Sequence, residues 1–327
     1  MGATAVEGAR RVDRLRLSVT DRCDLRCTYC MPACGIAKVA RRRVLTIEEM
    51  AHLASLMVSR FGIRAIRLTG GEPLIREGVE RLVSLLSGMG LEDLALTTNA
   101  QRLAGVAREL KARGLMRVNV SLDTLDPHRF STLTGGGDMA PTLAGIEAAL
   151  VAGLGPVKLN AVVLGGVNDD EIERIARYGL ERGCEVRFLE LMPIGVARRP
   201  HASLFVPAVR ILDRLAASFR LEALDAPYGS TARLWSADDG AGLRGRIGVI
   251  SPETVPFCSQ CGRLRLTTEG RLLGCLHEEG GVDLRDGLRA PTGPDDEAVV
   301  SAIARAIESK PACRSGSRRS PMHIVGG

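Results

Sequence analysis

Three cysteines lie within eight residues near the start of the chain. Cys23, Cys27 and Cys30 are separated by three and then two residues. Thiolates at such close spacing favour zinc or an iron–sulfur cluster as the bound metal. Structural zinc is normally closed by four ligands, whereas a four-iron cluster held by three cysteines leaves one iron open for chemistry. Between these two alternatives, the spacing favours the iron–sulfur cluster.

A second group of three cysteines lies towards the other end of the chain. Two residues separate Cys258 from Cys261, and thirteen more separate Cys261 from Cys275. The stretch between them predicts a β-hairpin, with RLRLTT and RLLGCL as strands and a turn at Glu269-Gly270. This hairpin would bring Cys275 back to the first pair. Taken alone, the second group favours zinc over a cluster.

The composition is that of an ordinary soluble protein of one or two domains. Of the 327 residues, 45% are hydrophobic and 25% are charged. The net charge of +6 suits an anionic ligand, while the aromatic content of 3% offers no stacking platform for nucleic acid. Neither a signal peptide nor a membrane-length apolar run is present. We therefore expect a cytoplasmic protein that binds neither membrane nor nucleic acid, with ordinary thiols at Cys34, Cys184 and Cys313.

Strands and helices are predicted to alternate along the first two thirds of the chain. The predicted strands cover residues 14–20, 65–70, 94–99, 117–123, 157–164 and 185–191. The first predicted helix follows Thr46, which can form a capping box with Glu49. The predicted helices cover residues 47–61, 77–87, 102–113, 141–152, 169–182 and 207–218. Such alternation predicts an α/β fold with a parallel sheet, either doubly wound or an incomplete barrel.

The residues that could carry chemistry follow the predicted strands. The first cysteine group comes after the first strand, and Gly70-Gly71-Glu72-Pro73 comes after the second. Thr98, Ser121 and Met192 lie at or after the ends of three later strands. In parallel sheets the carboxyl ends of the strands share one rim, where ligands gather. After about residue 220 the alternation stops, so we expect residues 1–220 and residues 221–327 to form two separate portions.

The order of these motifs resembles that of a known family. CxxxCxxC with Tyr29 before the third cysteine, followed by GGEP one βα unit later, is similar to the radical S-adenosylmethionine superfamily. Within it, the chain resembles the GTP 3′,8-cyclase family (molybdenum cofactor biosynthesis protein A). The strings that carry this resemblance are LRLSVTDRC, CTYCMP, RLTGGEPL, LTTN, VNVSLDTL, VKLNAVV, GVNDDE, RFLELMPIG and CxxCxRLRL. The resemblance implies an incomplete (β/α)6 TIM-type barrel, closed by a C-terminal extension that binds a second cluster. Both clusters would then face one cavity from opposite sides.

The resemblance also implies a reaction and its cofactors. S-adenosylmethionine would occupy the open iron of the first 4Fe-4S cluster and yield a 5′-deoxyadenosyl radical. That radical would remove hydrogen from C3′ of GTP, and the carbon radical would attack C8. The product would be (8S)-3′,8-cyclo-7,8-dihydroguanosine 5′-triphosphate, in the first step of molybdenum cofactor (molybdopterin) biosynthesis. The implied partners are an electron donor such as flavodoxin or ferredoxin and the next enzyme of the pathway, with the oligomeric state open and a homodimer as one alternative.

Individual site residues are implied in the same way. The ligands of the two clusters would be Cys23, Cys27, Cys30, Cys258, Cys261 and Cys275. The implied contacts of S-adenosylmethionine are Tyr29, Gly71, Ser121 and Met192, with Glu72 near its ammonium group. The implied contacts of GTP are Arg16, Arg67, Thr98, Lys158, Arg263, Leu264 and Arg265, with Arg187 as a further candidate. Arg263 and Arg265 alternate along one strand and so face the same side.

The tail and three departures complete the expectations. In the resembled family the C-terminal tail enters the cavity. The resemblance therefore implies catalytic roles for Gly326 and Gly327, as it also does for Arg263 and Arg265. The chain departs from the family pattern at Gly262, Ala100 and Ala65, where asparagine, glycine and a basic residue are usual. Two other functions stay open: a radical peptide maturase with an auxiliary cluster, and a non-catalytic zinc protein.

Overall fold

The computed structural model describes residues 11–32, 34–35, 38–313 and 322. The six predicted strands are confirmed as β1 Arg14–Ser18, β2 Ala65–Thr69, β3 Asp93–Thr98, β4 Arg117–Ser121, β5 Lys158–Val163 and β6 Glu185–Glu190. Six further strands follow them in the chain. These are β7 Arg220–Leu224, β8 Arg233–Asp238, β9 Arg244–Ile250, β10 Arg263–Leu266, β11 Arg271–Leu273 and β12 Val282–Asp283.

The α-helices of the described part connect and flank these strands. Their bounds are α1 Ile47–Phe61, α2 Val79–Ser87, α3 Leu103–Ala112, α4 Pro127–Thr134, α5 Met139–Val151, α6 Ile172–Glu181, α7 His201–Leu204, α8 Ala208–Ala216, α9 Arg285–Leu288 and α10 Asp296–Glu308. Short 3-10 turns occur at Arg41–Arg43, Pro73–Ile75, Asp169–Glu171, Gly195–Arg198 and Cys258–Gln260. The six predicted helices correspond to α1, α2, α3, α5, α6 and α8.

Local capping explains where several helices begin. At α1, Glu49 donates its backbone N–H to Thr46 Oγ1 over 3.1 Å, and its carboxylate accepts from Thr46 N over 2.7 Å. This is the predicted capping box. Four helices, α4, α7, α9 and α10, were not predicted. Of these, α4 and α10 are each preceded by an aspartate that accepts a backbone N–H of the first turn. For α4, Pro127 at the first helical position is a second start signal.

The strands form one sheet in the order β12-β11-β10-β1-β2-β3-β4-β5-β6-β9-β8-β7. From β10 to β9 every neighbouring pair is parallel. The hairpin predicted between Cys261 and Cys275 is present as the antiparallel pair β10 and β11. Strands from the C-terminal portion thus extend both edges of a six-stranded (β/α) sheet. The α/β architecture of a partial TIM-type barrel is confirmed, while closure of that barrel by the extension stays a prediction.

The hydrophobic core lies between the sheet and its covering helices. The larger cluster packs β1 to β5 against α1, α2, α3 and α5, and it also contains Leu264, Leu266, Val299 and Ile303 from the C-terminal portion. The smaller cluster joins β5, β6 and β9 to α6 and α8. Residues after position 220 therefore share both clusters with the residues before it. The division into portions 1–220 and 221–327 stays a prediction.

None of the helices in the described part of the chain is both long and apolar enough to cross a lipid bilayer.

Candidate active site

All six predicted cysteine ligands line one cavity of about 330 Å³. Cys23, Cys27 and Cys30 reach it from the loop after β1, where the strands present their carboxyl ends. The second group reaches it from the loop before β10 and the turn after β11. Eleven other predicted site residues line the same cavity: Arg16, Tyr29, Arg67, Gly71, Glu72, Thr98, Ser121, Arg187, Met192, Arg263 and Arg265. The fold therefore assembles two cysteine groups, more than 200 residues apart in sequence, around a common space.

A second cavity of about 230 Å³ adjoins the first and is strongly cationic. The two cavities share Arg16, Arg67, Arg187, Thr231 and Arg263 in their walls. The second is also lined by Arg14, Arg117, Lys158 and Arg246, with Asp93 and Glu185 as its carboxylates. Lys158 lies here rather than in the first cavity. Leu264 lines neither cavity, because its side chain is buried in the core.

The first cysteine group is held by a tight turn and by β3. The backbone N–H groups of Cys30 and Met31 both donate to Cys27 O, at 2.9 and 3.0 Å. Asn99 Nδ2 lies 3.9 Å from Cys23 Sγ. Burial, together with repulsion from the nearby carboxylates Glu72 and Asp24, raises the pKa of Cys23 to about 12. Thiols in this environment stay protonated unless a metal supplies positive charge, which is what a bound iron cluster would do.

The GGEP turn is pressed against the cysteine loop. Gly71 N donates to Thr20 O over 2.8 Å, and Glu72 N donates to Arg22 O over 2.7 Å. A Cβ atom on Gly71 would lie 1.9 Å from Arg22 O, and Gly70 has a φ of 142°. Both glycines are therefore required by backbone geometry. The turn fixes the start of the cysteine loop relative to β2.

Glu72 is a buried carboxylate that ties two strand ends together. Its carboxylate accepts hydrogen bonds from the Thr98 hydroxyl and the Asn99 backbone N–H, each over 2.7 Å, and from the Leu74 N–H over 3.0 Å. Burial raises its pKa to about 7, although these hydrogen bonds favour the ionised form. The Thr98 hydroxyl is thereby oriented towards the carboxylate. Its predicted contact with GTP stays a prediction.

Tyr29 is anchored by an aspartate at the end of β4. Its hydroxyl donates to Asp123 Oδ2 over 2.6 Å, while Asp123 Oδ1 accepts the Val162 N–H over 2.8 Å. Asn168 Nδ2 donates to the Asp123 backbone O over 2.7 Å. Burial raises the pKa of Asp123 to about 6. Sequence reasoning assigned no role to Asp123 or Asn168, although SLD and GVND are among the strings that carry the resemblance.

Arginines on three adjacent strands form a wall of positive charge. The register places Arg16 of β1 opposite Arg265 of β10 and opposite Arg67 of β2. Burial lowers the pKa of Arg16, and repulsion from Arg265 and Arg263 lowers it further. Arg67 Nε is buried without a hydrogen-bond partner among the described residues. Crowded guanidinium groups of this kind are matched by phosphate oxygens.

Lys158 and Arg187 share a single carboxylate at the other side of the second cavity. Lys158 Nζ lies 3.2 Å from Glu185 Oε1, and Arg187 Nη2 lies 2.6 Å from the same oxygen. Burial lowers the pKa of Lys158 to about 8, with repulsion from Arg187 as the next cause. Two cations paired with one carboxylate leave net positive charge in this wall. This net positive charge would attract one end of a ligand that carries several negative charges.

The second cysteine group has cationic neighbours. Arg263 Nη2 lies 3.4 Å from Cys261 Sγ, and Lys310 Nζ lies 3.7 Å from it. Burial raises the pKa of Cys261, but Arg263 and Lys310 outweigh that effect and hold it at about 7. The His277 N–H donates to Cys275 Sγ over 3.5 Å. Sequence reasoning missed Lys310, since nothing local marks a lysine that follows a helix as a neighbour of cysteine.

The donor sets fit iron–sulfur clusters better than single metal ions. Among the described residues, no three His, Cys, Asp or Glu side chains converge closely enough to hold one metal ion. Zinc with bonds of about 2.3 Å to each sulfur would need such convergence. A four-iron cluster is larger, and its thiolate ligands stand farther apart. Each group offers three thiols facing a shared space, which matches a cluster with one open iron.

The three departures from the family pattern have local explanations or consequences. Gly262 packs against the segment before β1, and a Cβ there would lie 2.7 Å from Arg11 O. Ala100 has a φ of 61°, a conformation that favours glycine. Ala65 lines the second cavity, where Arg117 also lies. Of the tail, Met322 is described and lines the first cavity, whereas Gly326 and Gly327 lie outside the described residues.

Comparison with known proteins places these features in a family. A model described as Radical SAM superfamily matches residues 17–179, and one described as Molybdenum Cofactor Synthesis C matches residues 184–315. The crystal structure of Streptococcus suis SuiB bound to precursor peptide SuiA is similar, with a TM-score of 0.60 and 14% identity. That match covers 82% of this chain and 60% of the other, and it concerns the fold alone.

Curated relatives are similar over almost their full length. The GTP 3′,8-cyclase of Heliobacterium modesticaldum is 46% identical over 307 residues, which cover 93% of this chain and 92% of the relative. The GTP 3′,8-cyclase of Moorella thermoacetica is 44% identical, over 93% of this chain and 92% of the relative. That of Pseudomonas entomophila is also 44% identical, over 92% of this chain and 90% of the relative. The chain therefore belongs to the GTP 3′,8-cyclase family of the radical S-adenosylmethionine superfamily.

Proposed function

We propose that this protein is the enzyme that cyclises GTP to (8S)-3′,8-cyclo-7,8-dihydroguanosine 5′-triphosphate, in the first step of molybdenum cofactor biosynthesis. The observation that carries the proposal is the shared cavity, into which both cysteine groups and the arginine wall face. One such space can hold a radical source and a nucleotide side by side. Family membership at up to 46% identity supports the same reaction.

The N-terminal side of the cavity is proposed to bind the radical source. Cys23, Cys27 and Cys30 would hold a 4Fe-4S cluster through three of its irons. Bound there, the cluster and S-adenosylmethionine supply the radical chemistry that removes hydrogen from the ribose of GTP. Around them, Tyr29, Gly71, Ser121 and Met192 would contact S-adenosylmethionine, and the buried Glu72 would face its ammonium group.

The opposite side is proposed to bind GTP beside a second 4Fe-4S cluster. Cys258, Cys261 and Cys275 would hold that cluster. Arg16, Arg67, Arg263 and Arg265 would orient the triphosphate through paired hydrogen bonds, and Lys158 with Arg187 would bind its far end in the second cavity. Thr98 and the backbone of Leu264 complete the proposed contacts. The chain's own task is to fix the ribose next to the radical source and to exclude water.

Cluster content and product analysis test this function. Anaerobically reconstituted protein is expected to hold about eight irons and eight sulfides per chain. Incubated with GTP, S-adenosylmethionine and a reductant, it should form a product with the mass of GTP that the next enzyme of the pathway converts. A peptide maturase would bind eight irons but leave GTP unchanged. A structural zinc protein would hold one or two zincs and no sulfide, and either result would refute the proposal.

The tail is proposed to take part in cyclisation. Met322 lines the cavity, which supports a role of the tail in the reaction. Appending one alanine after Gly327 should abolish product formation while both clusters remain intact by iron content and EPR. An alanine inserted in the exposed Ala241-Gly242 turn is the matched control. Full activity of the extended chain would refute the role of the tail.

The remaining partners follow from the proposed chemistry. A one-electron donor such as flavodoxin or ferredoxin must reduce the first cluster, and the next pathway enzyme must accept the product. We also propose a cytoplasmic location, where GTP and low-potential electron donors are available. A homodimer is the alternative to a monomer, and sedimentation of the anaerobic holoenzyme decides between them.

A further inference from the structure

Lys310 lies directly after α10 and extends towards the second cysteine group. Its ammonium Nζ donates to Arg263 O over 2.8 Å and contacts Gly274 O. The same atom lies 3.7 Å from Cys261 Sγ. An ammonium group has three N–H donors and no acceptor capacity. Three acceptors, two backbone carbonyls and one cysteine sulfur, thus surround the three protons of one side chain.

These acceptors belong to both arms of the hairpin that carries the cysteines. Arg263 begins β10, two residues after Cys261, while Gly274 follows β11 and precedes Cys275. The Lys310 ammonium group therefore joins the backbone near Cys261 to the backbone next to Cys275. On the same turn, Glu278 Oε2 accepts the Gly274 N–H over 2.9 Å.

The packing around Lys310 is built for its close approach. A Cβ atom on Gly274 would lie 3.0 Å from Lys310 Cα and 3.1 Å from Lys310 Cβ, so a larger residue there would push the lysine stem away from the hairpin by a few tenths of an ångström. The helix before it is anchored in the main core through Val299, Ile303 and Ala306. The ammonium group is therefore presented from a rigid support rather than from a loose end.

The charge of Lys310 also distinguishes the two cysteine groups. Cys261 has Arg263 and Lys310 as cationic neighbours, whereas Asp24 and Glu72 lie near Cys23. Net charge and hydrogen bonds to the sulfurs set the reduction potential of an iron–sulfur cluster. Positive charge stabilises the reduced, more negative state. The charge of Lys310 should therefore raise the reduction potential of a cluster on the second group.

We propose that Lys310 is a positioning residue for the C-terminal cluster, which holds the Cys261 and Cys275 arms together and raises the reduction potential of that cluster. The inference rests on the proposed binding of a cluster by the second cysteine group. It assigns to Lys310 no contact with GTP or with S-adenosylmethionine.

The test uses the full-length chain with Cys23, Cys27 and Cys30 replaced by alanine, so that iron is bound only at the C-terminal group. Lys310→Met removes the charge and the donors at nearly the same length, and Lys310→Arg keeps both. After anaerobic reconstitution, iron and sulfide are counted and the midpoint potential is measured by EPR-monitored titration. We expect a more negative midpoint for K310M, with a midpoint near the parent value for K310R.

Lys111→Met, on the exposed face of α3, is the matched control and should leave the midpoint unchanged. Loss of iron from K310M with retention in K310R would also support the inference, since it shows that the cation holds the ligand arms. A midpoint and an iron content of K310M equal to those of the parent would overturn it. Absence of iron and sulfide from the parent chain itself would overturn the proposed C-terminal cluster, and this inference with it.

Discussion

The Tyr29 hydroxyl donates to Asp123 Oδ2 over 2.6 Å, which connects the cysteine loop to the end of β4. The two residues are 94 positions apart in sequence. Through Asp123 Oδ1 the connection continues to the Val162 N–H on β5. The loop that carries the first three cysteines is therefore fixed to two strands besides its own.

Tyr29→Phe should loosen this connection. It removes the hydroxyl donor from a buried carboxylate, and a buried acceptor left without its partner costs about 1–3 kcal/mol of unfolding free energy. Urea denaturation of the metal-free chain measures the change. Tyr228→Phe, at a residue whose side chain is exposed, should cost nothing comparable. Equal stability of the two variants would contradict the structural role of the Tyr29–Asp123 pair.

Gly71→Ala should disrupt the turn after β2. The added Cβ would meet Arg22 O at 1.9 Å, so backbone must move in either the turn or the cysteine loop. We expect a loss of about 3 kcal/mol or more and loss of iron from the N-terminal cluster. Gly105→Ala is the matched control, because nothing lies within 4 Å of its Cβ position in α3. It should be stabilising by about 0.5–1 kcal/mol. Full N-terminal iron content in G71A would argue against this tight contact.

Glu72 should make the stability of the metal-free chain depend on pH. Its pKa is raised by burial from 4.5 to about 7, so between these values the folded chain holds a proton that the unfolded chain has released. The free energy of unfolding must therefore fall as pH rises through this window, by about 3 kcal/mol for this group. Asp123, with a pKa raised to about 6, acts in the same direction.

Glu72→Gln should remove the contribution of Glu72 and leave that of Asp123. Urea unfolding at pH 5 and at pH 8 gives the comparison, and the difference between the two should be smaller in E72Q than in the original chain. Glu92→Gln changes an exposed carboxylate paired with Arg64 and serves as the control. An undiminished pH difference in E72Q would show that Glu72 ionises normally in the folded chain.

Arg67→Met should separate stability from substrate binding. Arg67 is half-buried among Arg16, Arg117 and Arg187, and its pKa is lowered by burial and then by their charges. Its removal relieves repulsion among these arginines and should leave the metal-free chain at least as stable as the original. The loss of a charged hydrogen-bond donor should weaken GTP binding to the holoenzyme by about 10- to 100-fold. Anaerobic calorimetry with GTP and urea unfolding measure the two effects.

Arg60→Met provides the control for this prediction. Arg60 is a surface residue on α1 that pairs with Glu297, so its loss should change neither quantity by more than about 0.5 kcal/mol. Two results would contradict the proposed role of Arg67: unchanged affinity for GTP, or a metal-free R67M chain less stable than the original.

Local sequence patterns determined most of the architecture. The six strands, the capping box of α1 and the hairpin between Cys261 and Cys275 were all predicted, because each depends on residues within one short segment. The alternation of Arg263 and Arg265 with buried leucines was predicted for the same reason. The two cysteine groups were recognised by spacing alone, which is also a local property.

Only the tertiary structure decided how these pieces meet. That Asp123 holds Tyr29 and that Lys310 reaches Cys261 depend on contacts between segments far apart in the chain. The shared cavity of the two cysteine groups, which the family resemblance implied, is formed by contacts of the same kind. Such contacts are set by the packing of helices on a twisted parallel sheet. No short stretch of sequence encodes how close two distant segments lie in the folded chain. The residue types determine which chemistry is available. The packing determines which of these residues come together in one site.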